Sequence, residues 1–324
     1  MKPGRRVRLA SSYPLTPNGY LLPLVYHPHY VTPLPDGHRF PMGKFAVLRD
    51  LLIDEGIAHR EALHRPVPAT RQQLLRVHTA GYVDAFVSGT LPREAQRRIG
   101  LPWSEGLVQR TVTAVGGTIR TAELALRHGL ACNLAGGTHH AHRDFGSGFC
   151  IFNDLAVAAA DVLERGLAHR VLVVDLDVHQ GDGTAAVFAQ RPDVFTFSMH
   201  CQANFPSRKV AGDHDVGLDI GVGDDHYLEA LACELPALLA RVKPDLVFYD
   251  AGVDPHHDDR LGRLVLTDRG LAARDRYVMT TCRNAGAAVA GVIGGGYHAQ
   301  LRTLASRHAS LHRAAAQRWA QEHR

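Results

Sequence analysis

The stretch DLDVHQGDG, Asp175 to Gly183, follows four apolar residues, VLVV, and concentrates groups able to bind a cation. Asp175, Asp177 and His179 alternate along the chain, so an extended backbone would project all three to one side. An aspartate after a strand is often only a helix cap, but several carboxylates beside a core are costly unless a cation neutralises them. A second apolar run, LVFYDAG, delivers Asp254. An Asp, His, Asp set leaves a position open for water and substrate, which is the arrangement of a catalytic zinc site. Its oxygen-rich character admits ferrous iron as well.

The motif GGTHHAH, Gly136 to His142, sets His139 and His140 side by side. Adjacent residues of an extended chain face opposite ways, so both rings reach one site only from a bent loop, which two glycines permit. Metal ligation by the pair is one use. General acid and base work is the other, because an imidazole near neutral pKa takes a proton from water and returns it to a leaving amine. Asp175 and Asp182 are surplus carboxylates that could fix the two tautomers. His142, beside Arg143 and Asp144, reads as a solvated loop residue. Further on, VIGGGYHA brings Tyr297 after three glycines, where a phenol could stabilise a developing oxyanion or merely end a turn.

These residues sit at the ends of short apolar runs: 130–134, 171–174, 194–198, 246–249 and 289–293. Between them lie helical patterns, the clearest over 107–128, where Val108, Val112, Val115, Ile119, Ala122 and Leu126 follow the 3.6-residue period. Alternating strand and helix predicts an α/β fold with a mostly parallel sheet covered on both faces. In such sheets ligands collect beyond the carboxyl ends of the strands.

The chain has 324 residues and a formal charge of +4, and lysine occurs only at positions 2, 44, 209 and 243. The positive residues are dispersed except near the two ends, which argues against a nucleic-acid partner. Five cysteines without a CxxC pair argue against a disulfide framework or a cysteine zinc site. No apolar run approaches the ~18 residues of a membrane span, and residues 1–22 lack a signal-peptide core. A cytoplasmic protein is the expectation.

Taken in order, RFPM, HTAGYVDAF, GGTHHAH, GSGFCIFND, VDLDVHQGDGT, FSMH, DAGVDPHHDDRLG and GGGY resemble the metal-dependent histone deacetylase family, including its bacterial and acetylpolyamine branches. The DLDVHQGDG and AGVD...DRLG wording is most similar to the class IV group. The resemblance implies an arginase/deacetylase-like open α/β sandwich over residues 23–310, with an extension over 1–22 and a basic helix end or tail over 311–324. It implies removal of an acetyl or longer acyl group from a lysine or lysine-like amine, on a protein, a peptide or a small molecule. A homo-oligomer is compatible with it.

By that resemblance Asp177, His179 and Asp254 are the zinc ligands, His140 is the general base and acid, His139 its electrostatic partner, and Tyr297 polarises the carbonyl. Gly148, Phe149, Phe205 and Leu261 match the tunnel that grips the lysine methylenes. A structural potassium ion is implied at Asp175 and Ser198 and at the main-chain carbonyls of Asp177, His179 and Met199. A second such site would fall at Phe188, Arg191 and Val194. Arg39 aligns with an arginine of an internal channel. One departure matters: Gly100, in IGLPWSEGL, stands where many lysine deacetylases carry a rim aspartate, so the substrate backbone lacks that anchor. Glu105 nearby belongs to the following helix start.

An acetylpolyamine deacetylase is the alternative within the family. An arginase-type ureohydrolase requires further aspartates for a second metal, and the residue two beyond His179 is Gly181. A catalytically silent binding module predicts erosion of at least one of His140, Asp177, His179, Asp254 or Tyr297, and all five are present.

Overall fold

The computed structural model describes residues 21–324. Most of the expected 1–22 extension therefore lies outside the described residues. Seven strands form one sheet: β1 (Leu24–Val25), β2 (Leu130–Asn133), β3 (Val171–Asp175), β4 (Val194–Cys201), β5 (His214–Leu218), β6 (Leu246–Asp250) and β7 (Ala288–Val292). Every pairing is parallel, in the order β1-β2-β7-β6-β3-β4-β5.

Helices cover the sheet. They are α1 (Lys44–Asp54), α2 (Arg71–Leu74), α3 (Ala80–Val87), α4 (Arg93–Ile99), α5 (Glu105–His128), α6 (Asp154–Glu164), α7 (Asp182–Phe188), α8 (Asp224–Val242), α9 (Asp268–Asn284) and α10 (Leu301–Glu322). This is the arginase/deacetylase-like α/β architecture that the motif order implied.

Strands β2, β3, β6 and β7 are buried along their whole length, which is why they read as continuous apolar runs rather than alternating ones. Phe248, at the centre of β6, is fully buried, and truncating it to alanine would cost about 3–5 kcal/mol. The long helix α5 starts at Ser104, whose hydroxyl accepts from the Leu107 N–H, and stops at Gly129 with φ +88°. That cap pair fixes where β2 begins.

The two strands missing from the apolar runs have physical reasons to be inconspicuous. Strand β1 has only two residues, and edge strand β5 alternates half-buried with exposed positions. Strands β2, β7, β6 and β3 are consecutive neighbours. The loops after them carry His139 and His140, Tyr297, Asp254, and Asp177 with His179, so one sheet edge gathers residues up to 158 positions apart.

Candidate active site

The loop after β3 does not stay extended. Beyond Asp175 the chain bends, and two carboxylates accept their own backbone: the Asp177 N–H donates to Asp175 Oδ1 at 3.2 Å and the His179 N–H to Asp177 Oδ1 at 2.9 Å. The side chains converge through these local turns rather than through strand alternation. His179 Nδ1 lies 2.9 Å from Asp177 Oδ1 and 3.3 Å from Asp254 Oδ2. Asp254 is fully buried, and its Oδ2 has no hydrogen-bond partner.

The Gly295 N–H donates to Asp177 Oδ2 at 2.7 Å, and the Val178 N–H to Asp254 Oδ1 at 2.9 Å. A Cβ at Gly295 would collide with carboxylate oxygens of both Asp254 and Asp177. Two buried carboxylates and one imidazole, converging with an orphaned oxygen, suit a divalent cation.

The histidine pair behaves as the bent-loop reading requires. Gly136 and Gly137 both adopt φ near +90°, a region that side chains resist. The His139 and His140 rings then lie only 4.1 Å apart. His139 Nδ1 is 2.7 Å from Asp175 Oδ2, and His140 Nδ1 is 2.6 Å from Asp182 Oδ1. With Asp182 accepting from Nδ1–H, Nε2 of His140 is left as the basic nitrogen.

His139, Asp175 and Asp250 form a second cluster of metal-binding groups. The His139 ring is already engaged with Asp175, and neither Asp175 nor Asp250 lines the cavities described below. Burial, reinforced by Asp175, pushes the Asp250 carboxyl well above the usual carboxylate range.

Electrostatics separate the two rings. Burial lowers His140 to about 4, helped by the charge of His139, while the Asp182 contact opposes the fall. Burial would lower His139 too, but Asp175 and Asp177 override it and raise the ring well above the ordinary value. His179 is likewise lowered by burial, yet its hydrogen bond to Asp177 and the adjacent Asp254 carboxylate bring it up to about 10. Burial, with Asp177 nearby, raises Asp254 to about 7. Tyr297 is pushed well above 10 by burial and by Asp254.

Two cavities meet at His140, Gly148, Phe149 and Tyr297. The outer one, of about 460 Å³, opens to solvent past Phe205, Leu261 and Gly100. Phe205 is 45% exposed, and its ring stands edge-on to His140 at 4.8 Å. Phe149 is a non-glycine residue at φ +67°, directly after Gly148 at +55°. That backbone is costly for an aromatic residue. It is held by N–H bonds from Gly148 to Arg98 O at 3.3 Å and from Phe149 to Ile99 O at 2.8 Å.

The inner cavity, of about 30 Å³, runs behind the site past Phe40, Lys44 and Arg110. Asp175 and Ser198 are register partners on β3 and β4, and Met199 is buried next to Ser198.

Two expectations are corrected. Arg39 is exposed and lines the outer mouth, not an internal channel. Phe40 of the loop and Lys44 at the start of α1 turn inward instead, and Arg110 of α5 supplies the buried guanidinium. His142 is not a solvated bystander. Its side chain is 15% exposed, stacks on Phe145 at 4.3 Å, and places Nε2 3.1 Å from Asp182 Oδ2, so Asp182 bridges it to His140.

Other supports escaped motif reading. Arg274 is fully buried and donates to the carbonyls of Leu176, Ala251 and Gly252, clamping the loops after β3 and β6 together. Asp154 accepts from the Gly137 and Thr138 N–H groups at 3.1 and 2.7 Å. Asn153 caps α6 and reaches the carbonyls of His139 and Ala141. Both lie in GSGFCIFND, so their presence was visible although their roles were not. Lys44 donates to Gly294 O at 3.1 Å, and burial lowers it to about 8.

Residues 38–313 match the histone deacetylase domain. The chain belongs to the histone deacetylase family. An uncharacterised protein of Picosynechococcus sp. is 60% identical over 293 residues, covering 90% of this chain and 98% of that one. Histone deacetylase 2 of Arabidopsis thaliana is 30% identical over 270 residues, covering 80% and 70%. Acetoin utilization protein AcuC of Staphylococcus aureus is 30% identical over 254 residues, covering 72% and 65%.

The crystal structure of the HDA15 HD domain superposes with a TM-score of 0.77 at 24% identity, covering 92% of this chain and 88% of that one, a likeness of fold. Membership of the histone deacetylase family makes this chain a deacetylase-type hydrolase, in a family that is generally metal-dependent. Among the described residues, no helix is long and apolar enough to cross a membrane.

Proposed function

We propose that this histone deacetylase family member hydrolyses the amide of an N-acyl lysine or lysine-like amine, with zinc held by Asp177, His179 and Asp254. The observation that carries the reading is the buried Asp177, His179 and Asp254 cluster with its orphaned Asp254 oxygen, of which Asp177 and His179 line the two joined cavities that His140 and Tyr297 also line. When bound there, zinc supplies Lewis acidity toward water and the acyl oxygen.

The protein's own residues do the rest. His140, held neutral by burial and fixed through Nδ1 by Asp182, takes a proton at Nε2 from the attacking water and delivers it to the departing amine. His139 stays protonated against Asp175 and Asp177 and offsets the negative charge that develops beside it. The Tyr297 hydroxyl, kept protonated by burial, donates to the carbonyl oxygen. Phe149 and Phe205 grip the amine's methylenes, each buried CH₂ contributing about 0.8 kcal/mol.

Asp175 and Ser198, side by side across β3 and β4, together with the Met199 carbonyl, are proposed to hold a structural potassium ion. The test is turnover of an acetyl-lysine reporter by the zinc-reconstituted chain and by His140→Ala and Asp177→Asn. Loss of turnover in both variants supports the assignment, and a fully active variant overturns it.

A further inference from the structure

Four arginines, Arg39, Arg97, Arg98 and Arg263, surround the outer mouth of the tunnel, and all four are exposed. They arrive from three separate stretches: the loop before α1, the end of α4 and the loop between β6 and α9. No Asp or Glu lines the mouth among the described residues. None of the four forms an ion pair there either.

Their side-chain contacts are the Arg98 guanidinium 4.8 Å from the centre of the Phe145 ring, and Arg263 Nη1 donating to Ala203 O at 3.3 Å. Asp259, close in sequence to Arg263, is occupied by the N–H groups of Leu261, Gly262 and Tyr297. Residues 1–20 contain no Asp or Glu. Among the described residues, then, no acidic side chain lines this opening or forms an ion pair with its arginines.

Like charges collected at a cleft set up a potential that draws in anions and repels cations. Geometry decides which part of a substrate meets it. The acyl group lies at the floor beside His140 and Tyr297, and the amine's carbon chain runs outward between Phe149 and Phe205, so the arginines face whatever flanks that chain. Guanidinium groups match carboxylates with paired N–H donors.

We propose that the substrate is an acyl-lysine set in an acidic peptide segment rich in Asp and Glu, and that lysine-rich segments and acylated polyamines are disfavoured. The proposal rests on the N-acyl amine hydrolysis assigned above. It also supplies a use for the Gly100 position: where a rim aspartate would engage substrate N–H groups, this mouth presents cations for substrate carboxylates.

The test uses the zinc-reconstituted full chain and one acetyl-lysine peptide with neutral, Asp/Glu or Lys/Arg flanks, alongside N-acetylspermidine. At low salt the acidic peptide should exceed the basic one by at least about tenfold in kcat/KM, carried by KM. The gap should shrink as added salt approaches about 0.5 M, where screening shortens the reach of exposed charges.

The side chains of Arg39 and Arg97 make no hydrogen bond, ion pair or ring contact with described residues, so the double variant R39E/R97E perturbs the charge with little risk to the fold. It should lower the acidic-to-basic ratio toward or below one. Basic peptide or N-acetylspermidine turned over as well as the acidic peptide at low salt would overturn the proposal while leaving the hydrolase reading intact. Absence of turnover with every substrate, the neutral peptide included, would sink both.

Discussion

The floor of the site gathers buried carboxylates and imidazoles and its mouth exposed guanidiniums, and the two follow opposite rules. At the floor, Asp175, Asp177, Asp250 and Asp254 are all buried, and each is bonded to backbone or imidazole or left with an orphaned oxygen. Such a cluster suits a cation and tolerates little change, because desolvated carboxylates without a counter-charge are costly. At the mouth, Arg39, Arg97, Arg98 and Arg263 stand in solvent with few contacts. Solvation relieves their mutual repulsion, so that ring can vary without unfolding anything. On the proposed function, the difference separates what performs the reaction from what selects the substrate.

Breaking the floor should have the largest effect. Asp177→Asn is expected to reduce deacylation to background and to lower bound zinc, read by metal analysis of the purified chain; full metal content with full activity would contradict the assignment. His140→Ala should retain the metal yet lose about 10²–10⁴-fold in kcat. Tyr297→Phe should lose about 10²–10³-fold, again with metal content unchanged, as for removal of one oxyanion donor.

Asp182→Asn sharpens the comparison through pH. His140 must be neutral to accept a proton, and it is lowered to about 4, with Asp182 opposing that fall. Activity should therefore be lost only as pH drops toward about 4, well below an ordinary histidine. Removing the Asp182 charge should move that acidic limb lower still while reducing kcat. A limb that moves upward in the variant would contradict the assigned contact.

Away from the catalytic residues, His78 and His312 are buried and lowered by burial to about 4. The unfolded chain protonates them near 6.5, so between pH 6.5 and 4 it binds more protons than the folded chain, and stability falls as pH drops through that window. Each contributes roughly 3 kcal/mol at neutral pH that is lost on the acid side. The melting temperature should decline steadily from pH 7 to 4.5, and a flat profile would contradict it.

The floor was readable in the sequence because its residues are local: a few positions after an apolar run fix which strand end they occupy. Two of its partnerships, His139 with Asp175 and His140 with Asp182, follow from the loops sharing one sheet edge. Strand alternation does not bring Asp175, Asp177 and His179 together; local carboxylate turns bend the loop instead. Arg274 was not legible, because it clamps carbonyls 22 to 98 residues away from inside an ordinary helix pattern. The mouth was not legible for a similar reason: Arg39, Arg97 and Arg263 share no motif, and only the fold brings them to one opening. His142 escaped because a histidine followed by Arg143 and Asp144 gives no hint that Asp182 will reach it.

The most direct measurement of the central claim is acetate released from a neutral acetyl-lysine peptide by the chain stripped with a chelator, then reloaded with one equivalent of zinc. No release is expected from the stripped chain, recovery on reloading, and release slower by at least about 10²-fold when His140→Ala is reloaded in parallel. Equal release with and without metal, or full recovery in the His140 variant, would contradict it.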